Sequence, residues 1–163
     1  EILRCLVGSE MCIRDRIYID QVRDAITTAV GEAVHHPHIN AIPNLYVTDF
    51  IKDMANAYAA ADLVISRAGA GSISEFCLLH KPVILVPSPN VAEDHQTKNA
   101  LALVDKDAAI YVKDVEAQEK LLPVALATVK DSGKLKELSN NIAKLALPDS
   151  ATIIAKEVLK LIK

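Results

Sequence analysis

The turn at residues 67–75 (Arg-Ala-Gly-Ala-Gly-Ser-Ile-Ser-Glu) has the residue types and spacing best suited to chemistry in this chain. An apolar stretch at residues 63–66, typical of a buried strand, precedes the turn, and residues 76–79 after it are typical of a helix face. A strand-to-helix turn of this kind directs backbone N–H groups and the positive end of a helix dipole at one point. The turn is therefore a candidate site for an anion, above all a phosphate.

Backbone amides and one carboxylate are the candidate ligand contacts in this turn. Glycine lets a ligand approach the backbone closely. A diphosphate can therefore accept hydrogen bonds from the amides of Gly71, Ser72, Ile73 and Ser74. Glu75, one helical turn further on, is a candidate acceptor for ribose hydroxyls. A structural interpretation has equal support, because Ser72 and Glu75 have the spacing of a capping box that only satisfies amides at a helix start.

Two more strand-to-helix turns are predicted on either side of the first. Residues 86–90 lead into a helix start where Gln96 offers a donor and an acceptor that suit adjacent sugar hydroxyls. At residues 48–54, backbone groups are placed to contact the edge of a flat base, with Phe50 or Met54 packing nearby. Taken alone, each is better explained as an ordinary helix start. Together, turns of this kind in one α/β domain suggest a nucleotide-type ligand.

The composition argues against several other classes of function. Hydrophobic residues make up 51% of the 163 residues and aromatics only 4%, which predicts one domain with an aliphatic core. A formal charge of −3 gives no support to a nucleic-acid surface. No apolar run approaches the roughly 18 residues that a membrane-spanning helix needs. The three cysteines lack metal-ligand spacing and fit a reducing, cytoplasmic setting.

No metal centre or catalytic pair is predicted. His35, His36 and His38 are interrupted by a proline, lack helical spacing and have no acidic partner close in sequence. Cys77 has apolar neighbours and is expected to be an inert core residue. We find no nucleophile with a matching base, so no residue of this chain is predicted to be catalytic.

Strands and helices alternate along the chain, which predicts an α/β fold with a parallel sheet flanked by helices. The predicted strands are residues 45–48, 63–66, 83–86 and 109–112. The predicted helices are residues 20–34, 53–61, 72–80, 92–104, 115–130, 134–145 and a last one that reaches Lys163. This last helix is capped by Asp149 or Ser150. It has Ile154, Val158, Leu161 and Ile162 on one face. Ligands of such sheets bind at the carboxyl ends of the strands, where the informative turns fall.

Residues 1–16 differ in composition from the rest of the chain. They contain three of the five arginines and two of the three cysteines. The segment resembles the read-through of a sequencing adapter and is expected to be non-native, which would leave residues 17–163 as the native domain. A genuine N-terminal strand is the alternative.

Three segments, taken in order, closely resemble the MurG family of peptidoglycan GlcNAc transferases: residues 47–54, residues 60–75, and residues 82–87 with 94–100. The likeness covers residues 44–163 and, more weakly, 17–43. The family transfers GlcNAc from UDP-GlcNAc to lipid I with inversion, which makes lipid II, and has two Rossmann-like domains in the glycosyltransferase-B (GT-B) arrangement. The resemblance implies that residues 17–163 are most of the C-terminal, donor-binding domain.

The same resemblance implies roles for individual residues. It places uracil against the backbone of Ile51, the ribose hydroxyls at Glu75 and the GlcNAc hydroxyls at Gln96. It assigns the diphosphate region to the loop of Ala70, Gly71, Ser72, Ile73 and Ser74. Arg67 has a supporting role and His95 is a neighbour of the site. UDP-GlcNAc is then the donor substrate, with no metal or other cofactor.

The chain also departs from the family pattern. The Gly-Gly-Ser-x-Gly loop of the family's first strand is absent, and so is the N-terminal domain. The lipid I site, the membrane contact and the general base are expected to lie in that domain, so the chain alone is expected to be inactive. The parent enzyme is expected to be cytoplasmic and peripheral on the inner membrane.

Three alternatives stay open from the sequence. The first is a stand-alone sugar-nucleotide-binding subunit that needs a partner for catalysis, against which the absent glycine loop argues. The second is a GT-B-type UDP-GlcNAc epimerase, which would need acid and base residues that we do not find. The third is an α/β module with capped helices and no ligand.

Overall fold

The computed structural model describes residues 5–7, 51–89 and 94–162, the first of these ranges by its backbone alone. Several sequence-based predictions lie outside the described residues. These are the helix at 20–34, the strand at 45–48, the beginning of the helix at 92, and the side chains of His35, His36, His38 and Phe50.

Four parallel strands among the described residues form one sheet, in which their spatial order is their order along the chain. The strands are β1 (Cys5–Val7), β2 (Leu63–Ser66), β3 (Val83–Leu85) and β4 (Ile110–Tyr111). In the centre of the sheet, Ser66 lies opposite Leu85 and Leu85 lies opposite Tyr111. Because the strands are parallel, the turns that follow β2, β3 and β4 leave the sheet at the same edge. The prediction of a parallel sheet is confirmed.

β1 falls within the segment that the sequence marks as foreign. It pairs with β2, with Cys5 opposite Leu63 and Val7 opposite Ile65. The interpretation of residues 1–16 as non-native stays a prediction, as does the domain boundary at residue 17.

Six α-helices and one 3₁₀ turn lie among the described residues. The helices are α1 (Met54–Ala60), α2 (Ala70–Leu79), α3 (His95–Val104), α4 (Ala117–Lys130), α5 (Ser132–Ala143) and α6 (Ser150–Lys160). The 3₁₀ turn, Asp114–Glu116, joins β4 to α4. All six helices were predicted. At the proposed anion site, the difference is that α2 begins at Ala70, two residues before the predicted start at Ser72.

The strands are apolar because both faces of the sheet are covered. Alternate residues of a strand point to opposite faces. Val64 and Leu85 pack with Phe76 and other residues of α2, α3 and α5, whereas Leu63 and Ile84 pack with α4 on the opposite face. All four of these strand residues are fully buried or nearly so. This arrangement explains why β2 and β3 show no alternation of polar and apolar residues.

The last helix behaves differently from the others, since α6 has no buried residue. Its predicted apolar face is solvent-exposed, with exposed fractions of 63% for Ile154 and 52% for Val158. Asp149 is the N-cap residue, as predicted, but its side chain accepts no capping hydrogen bond. Its backbone, at φ −99° and ψ 18°, is not in the extended conformation that a capping residue usually adopts. The helix also ends at Lys160, before the predicted end.

Among the residues with described positions, no helix has both the length and the apolar character needed to cross a bilayer.

Candidate functional site

The carboxyl ends of β2, β3 and β4 are held together by Arg67, the first residue after β2. Its Nη1 donates to the carbonyl oxygens of Val86 at 3.0 Å and Pro87 at 3.4 Å, and it also forms an ion pair with Asp114. The guanidinium and carboxylate side chains are 43% and 32% exposed, so their attraction is partly screened by solvent. The main effect of Arg67 is geometric, because it fixes the relative positions of three strand ends.

Two side chains of α3 connect the same turns. Asn99 Nδ2 donates to the carbonyl oxygen of Ala68 at 3.1 Å, which ties α3 to the turn after β2. Gln96 Oε1 accepts from the backbone amide of Ser88 at 2.9 Å, which ties it to the turn after β3. The structure therefore brings the first two predicted turns side by side at one edge of the sheet.

The beginning of α2 presents backbone amides at this edge. Gly69 is the N-cap residue and provides no side chain to cap the helix. The first helical hydrogen bond runs from the amide of Ile73 to the carbonyl of Gly69 at 3.0 Å. Within the described part of the chain, the amides of Ala70, Gly71 and Ser72 donate to no acceptor. A helix start with three such amides attracts an anion through both its N–H groups and its dipole.

The set of available amides thus differs from the sequence-based expectation. Because α2 starts earlier than predicted, the amide of Ile73 is already used within the helix, and that of Ser74 follows in the same series. The hydroxyl of Ser74 donates to the carbonyl of Ala70 at 2.9 Å. Ala70, by contrast, contributes an amide that the backbone reasoning did not include.

The capping-box interpretation is wrong for this helix. Ser72 is the third residue of α2 and is only 2% exposed, so it packs inward instead of capping the helix. Its Oγ has no hydrogen-bond partner among the described residues. A buried hydroxyl without a partner costs about 1–3 kcal/mol. The side chain of Ser72 is therefore out of reach of a ligand, and only its backbone amide, at the open start of the helix, remains a candidate donor.

Glu75 has a partner that the sequence did not reveal. The hydroxyl of Tyr58, on α1, donates to Glu75 Oε2 at 3.0 Å. Tyr58 is 8% exposed, and its ring meets that of Phe76 edge to face at a centroid distance of 5.8 Å. Glu75 itself is exposed. The only signal in the sequence was an aromatic residue with a polar tip in an alanine-rich helix.

Ile51 lies two residues before Asp53, the N-cap of α1. The Asp53 side chain accepts from the amide of Asn56 at 3.1 Å, so this helix start is an ordinary capped one, as the structural interpretation proposed. Ile51 is half-buried. Its predicted contact with a base stays a prediction.

Neither a metal centre nor a reactive thiol is found in the part of the chain that the structure describes. No group of three histidine, cysteine, aspartate or glutamate side chains there is placed to hold a metal ion. Burial raises the pKa of the Cys77 thiol, which keeps it protonated. The expectation that Cys77 is an inert core residue agrees with its position.

The parallel sheet and the amides at its carboxyl edge belong to a glycosyltransferase domain of known family. Residues 12–154 match the model of the glycosyltransferase family 28 C-terminal domain. This match spans well over half of the chain, so the chain belongs to that family.

The individual relatives carry a more specific name. A Bacteroides thetaiotaomicron protein named UDP-N-acetylglucosamine--N-acetylmuramyl-(pentapeptide) pyrophosphoryl-undecaprenol N-acetylglucosamine transferase is 75% identical over 146 residues, which are 90% of this chain and 37% of that protein. A Bacteroides fragilis protein of the same name is 74% identical over 90% of this chain and 36% of its own length. The chain therefore spans a little over a third of the length of these relatives.

A comparison of structures gives the same family. The crystal structure of MurG from Acinetobacter baumannii matches with a TM-score of 0.75 and 25% identity, over 98% of this chain and 52% of that one. A glycotransferase of kitacinnamycin matches with a TM-score of 0.63 at 18% identity, a likeness of fold alone. The predicted fold class, a Rossmann-like sheet flanked by helices that forms the C-terminal half of a GT-B fold, is confirmed.

Proposed function

We propose that this chain is the donor-binding part of an enzyme that transfers GlcNAc from UDP-GlcNAc to lipid I and so forms lipid II for peptidoglycan synthesis. The names of the 75% and 74% identical relatives support the choice of a transferase. They do not favour an epimerase or a stand-alone subunit. In the structure, the observation that carries the proposal is the cluster of three amides at the start of α2 that donate to no acceptor among the described residues.

The diphosphate of UDP-GlcNAc is proposed to bind at these amides. Ala70, Gly71 and Ser72 donate through their backbones, while Ile73 and Ser74 continue the helix whose dipole faces the phosphates. Negative charge increases on the departing UDP as the glycosidic bond breaks. Donors that are already in place stabilise this charge without reorganisation, which lowers the barrier to transfer. No metal ion is proposed to take part.

The remaining contacts are proposed around that anchor. Ile51 contacts uracil through its backbone at the start of α1, Glu75 accepts from ribose hydroxyls, and Gln96 contacts GlcNAc hydroxyls. Gln96 Oε1 is engaged by the amide of Ser88, which orients the side-chain amide so that its NH₂ group is the part available to the sugar.

The activity of the whole enzyme is also a proposal, because the chain spans 37% of its relative in Bacteroides thetaiotaomicron. We propose that lipid I, the membrane surface and the general base are contacted or provided by the part of the relatives that this chain does not span. The enzyme would then act on the cytoplasmic face of the inner membrane, and this chain alone would bind donor without turnover.

Calorimetric titration of the chain with UDP and UDP-GlcNAc tests the proposal. The sharpest variant is Ala70→Pro, because proline is well tolerated at the first position of a helix and removes one proposed donor. Gly69 before it, at φ −70° and ψ 143°, already has the extended conformation that proline requires of its predecessor. We expect Ala70→Pro to weaken UDP binding about tenfold, the effect of one hydrogen bond to a charged group.

Ser132→Pro is the matched control, since Ser132 is the first residue of α5 and lies outside the proposed site. It should leave UDP binding unchanged. Failure of the unmodified chain to bind UDP, or equal losses in the two proline variants, would contradict the proposal.

A further inference from the structure

We propose that Tyr58 is a positioning residue for the ribose: its hydroxyl holds one oxygen of Glu75 so that the other faces the sugar. The inference rests on the proposed function, in which Glu75 accepts from ribose hydroxyls. It starts from the 3.0 Å hydrogen bond between Tyr58 Oη and Glu75 Oε2.

An exposed glutamate has three rotatable side-chain bonds, and binding must restrict all of them. Glu75 is exposed and lies on the second turn of α2. At 3.0 Å the Tyr58–Glu75 contact is at the long end of the range for O–H···O hydrogen bonds, but its acceptor is a carboxylate, and a charged acceptor strengthens a hydrogen bond relative to one between neutral groups. The Tyr58 hydroxyl therefore selects one orientation of Glu75 before any ligand arrives, and Oε1 remains for the ribose.

Tyr58 can fix Glu75 only because Tyr58 is itself fixed. The residue is 8% exposed, and its ring packs edge to face on Phe76 with an interplanar angle of 88°. Phe76 is 1% exposed and directly follows Glu75 in the chain. The Tyr58 phenol and the Glu75 carboxylate are therefore both positioned by the buried Phe76: the phenol packs on its ring, and the carboxylate belongs to the preceding residue.

The position of Tyr58 on α1 gives this contact a second consequence. The helix begins at Met54, three residues after Ile51, where the base is proposed to bind, and its first turn is closed by the Asp53 cap. One helix thus connects the proposed base contact with the proposed ribose contact. A ligand that has both a base and a hydroxylated sugar gains from this connection, whereas one without sugar hydroxyls does not.

The test compares two ligands in the 163-residue chain, UDP and 2′,3′-dideoxyuridine diphosphate. Tyr58→Phe keeps the ring and its packing on Phe76 and removes only the hydroxyl. We expect this variant to bind UDP about fivefold more weakly and the dideoxy ligand as well as the unmodified chain does. In a Glu75→Ala background, Tyr58→Phe should cause no further loss. Tyr111→Phe, the same chemical change on β4, should leave both affinities unchanged.

The outcomes separate the two proposals. Equal losses for both ligands, an undiminished UDP affinity, or a further loss in the Glu75→Ala background would overturn the role of Tyr58 and leave the proposed function standing. No binding of UDP to the unmodified chain would overturn the proposed function, and this inference with it.

A second variant keeps the inference falsifiable if Tyr58→Phe does not fold. Glu75→Asp shortens the side chain by one methylene, so the carboxylate no longer reaches both Tyr58 and the ribose. It should weaken UDP binding and spare the dideoxy ligand. Unchanged binding of UDP by Glu75→Asp would contradict the inference.

Discussion

Arg67 and Asp114 form an ion pair that joins the end of β2 to the turn after β4, although 47 residues separate them in the chain. Between these two strands lies β3, whose following residues Val86 and Pro87 offer their carbonyl oxygens to the same guanidinium. The Arg67 guanidinium thus connects three strand ends at the edge of the sheet where the ligand is proposed to bind.

The two partners of this pair should contribute unequally to stability. Arg67→Ala removes the contacts to both carbonyl groups as well as the ion pair, and we expect it to lower the free energy of unfolding by about 1–3 kcal/mol. Asp114→Ala removes only a solvent-screened attraction, with an expected cost below about 1 kcal/mol. Urea denaturation of both variants measures the difference. An equal or larger cost for Asp114→Ala would show that the carbonyl contacts are unimportant.

The buried hydroxyl of Ser72 predicts a substitution that does not lower the free energy of unfolding. Ser72→Ala removes a buried polar group that has no partner among the described residues, so unfolding should become harder or stay the same. The backbone amide is retained, and UDP affinity should not change. Thermal unfolding and a UDP titration check both points. If Ser72 capped the helix, the same substitution would instead lower the free energy of unfolding by about 0.5–2 kcal/mol.

Gln96 should discriminate between ligands with and without the sugar. We expect Gln96→Ala to weaken UDP-GlcNAc binding while UDP binding changes little, because the proposed contact is with GlcNAc hydroxyls. Gln96→Glu is the control for structure, since a carboxylate oxygen can still accept from the amide of Ser88. Parallel titrations with the two ligands decide the matter. If Gln96→Ala weakened the binding of UDP and of UDP-GlcNAc equally, the role of Gln96 would be limited to holding the turn at Ser88.

The buried Cys77 predicts a dependence of stability on pH. Burial raises the pKa of its thiol above the ordinary value of 9.0, so the native state holds this proton more tightly than the unfolded state does. Its contribution is fully present below pH 9 and is lost as the pH rises through the higher native pKa. The stability of the unmodified chain should therefore fall above pH 9 more steeply than that of Cys77→Ala. Parallel slopes in denaturation experiments at pH 8 to 10.5 would contradict this.

Much of the architecture follows from local patterns in the sequence. β2 and β3 were predicted because strands buried on both faces are apolar throughout, and the structure covers Leu63 and Ile84 completely. The start of α2 was placed two residues late because Ser72 and Glu75 have capping spacing, while the true N-cap, Gly69, has no side chain to mark it. Spacing alone does not say whether a serine faces outward or into the core.

The contacts that organise the site were less accessible to sequence reasoning. Tyr58 and Glu75 are 17 residues apart, and their hydrogen bond exists only because α1 packs beside α2. Asn99 and Ala68 are 31 residues apart and meet across the sheet edge. Such pairings depend on tertiary packing, which leaves no periodic trace in the chain. Residue types identified the candidate anion site, and the packing shows how it is held in place.

The most direct test of the central claim observes the α2 amides themselves. In ¹⁵N–¹H spectra of the labelled chain, the signals of Ala70, Gly71 and Ser72 should shift in a saturable way when UDP is added. Uridine, which lacks the diphosphate, should leave them in place at the same concentration. If UDP leaves these three signals unmoved, or shifts only residues remote from the carboxyl edge of the sheet, the proposed donor site is wrong.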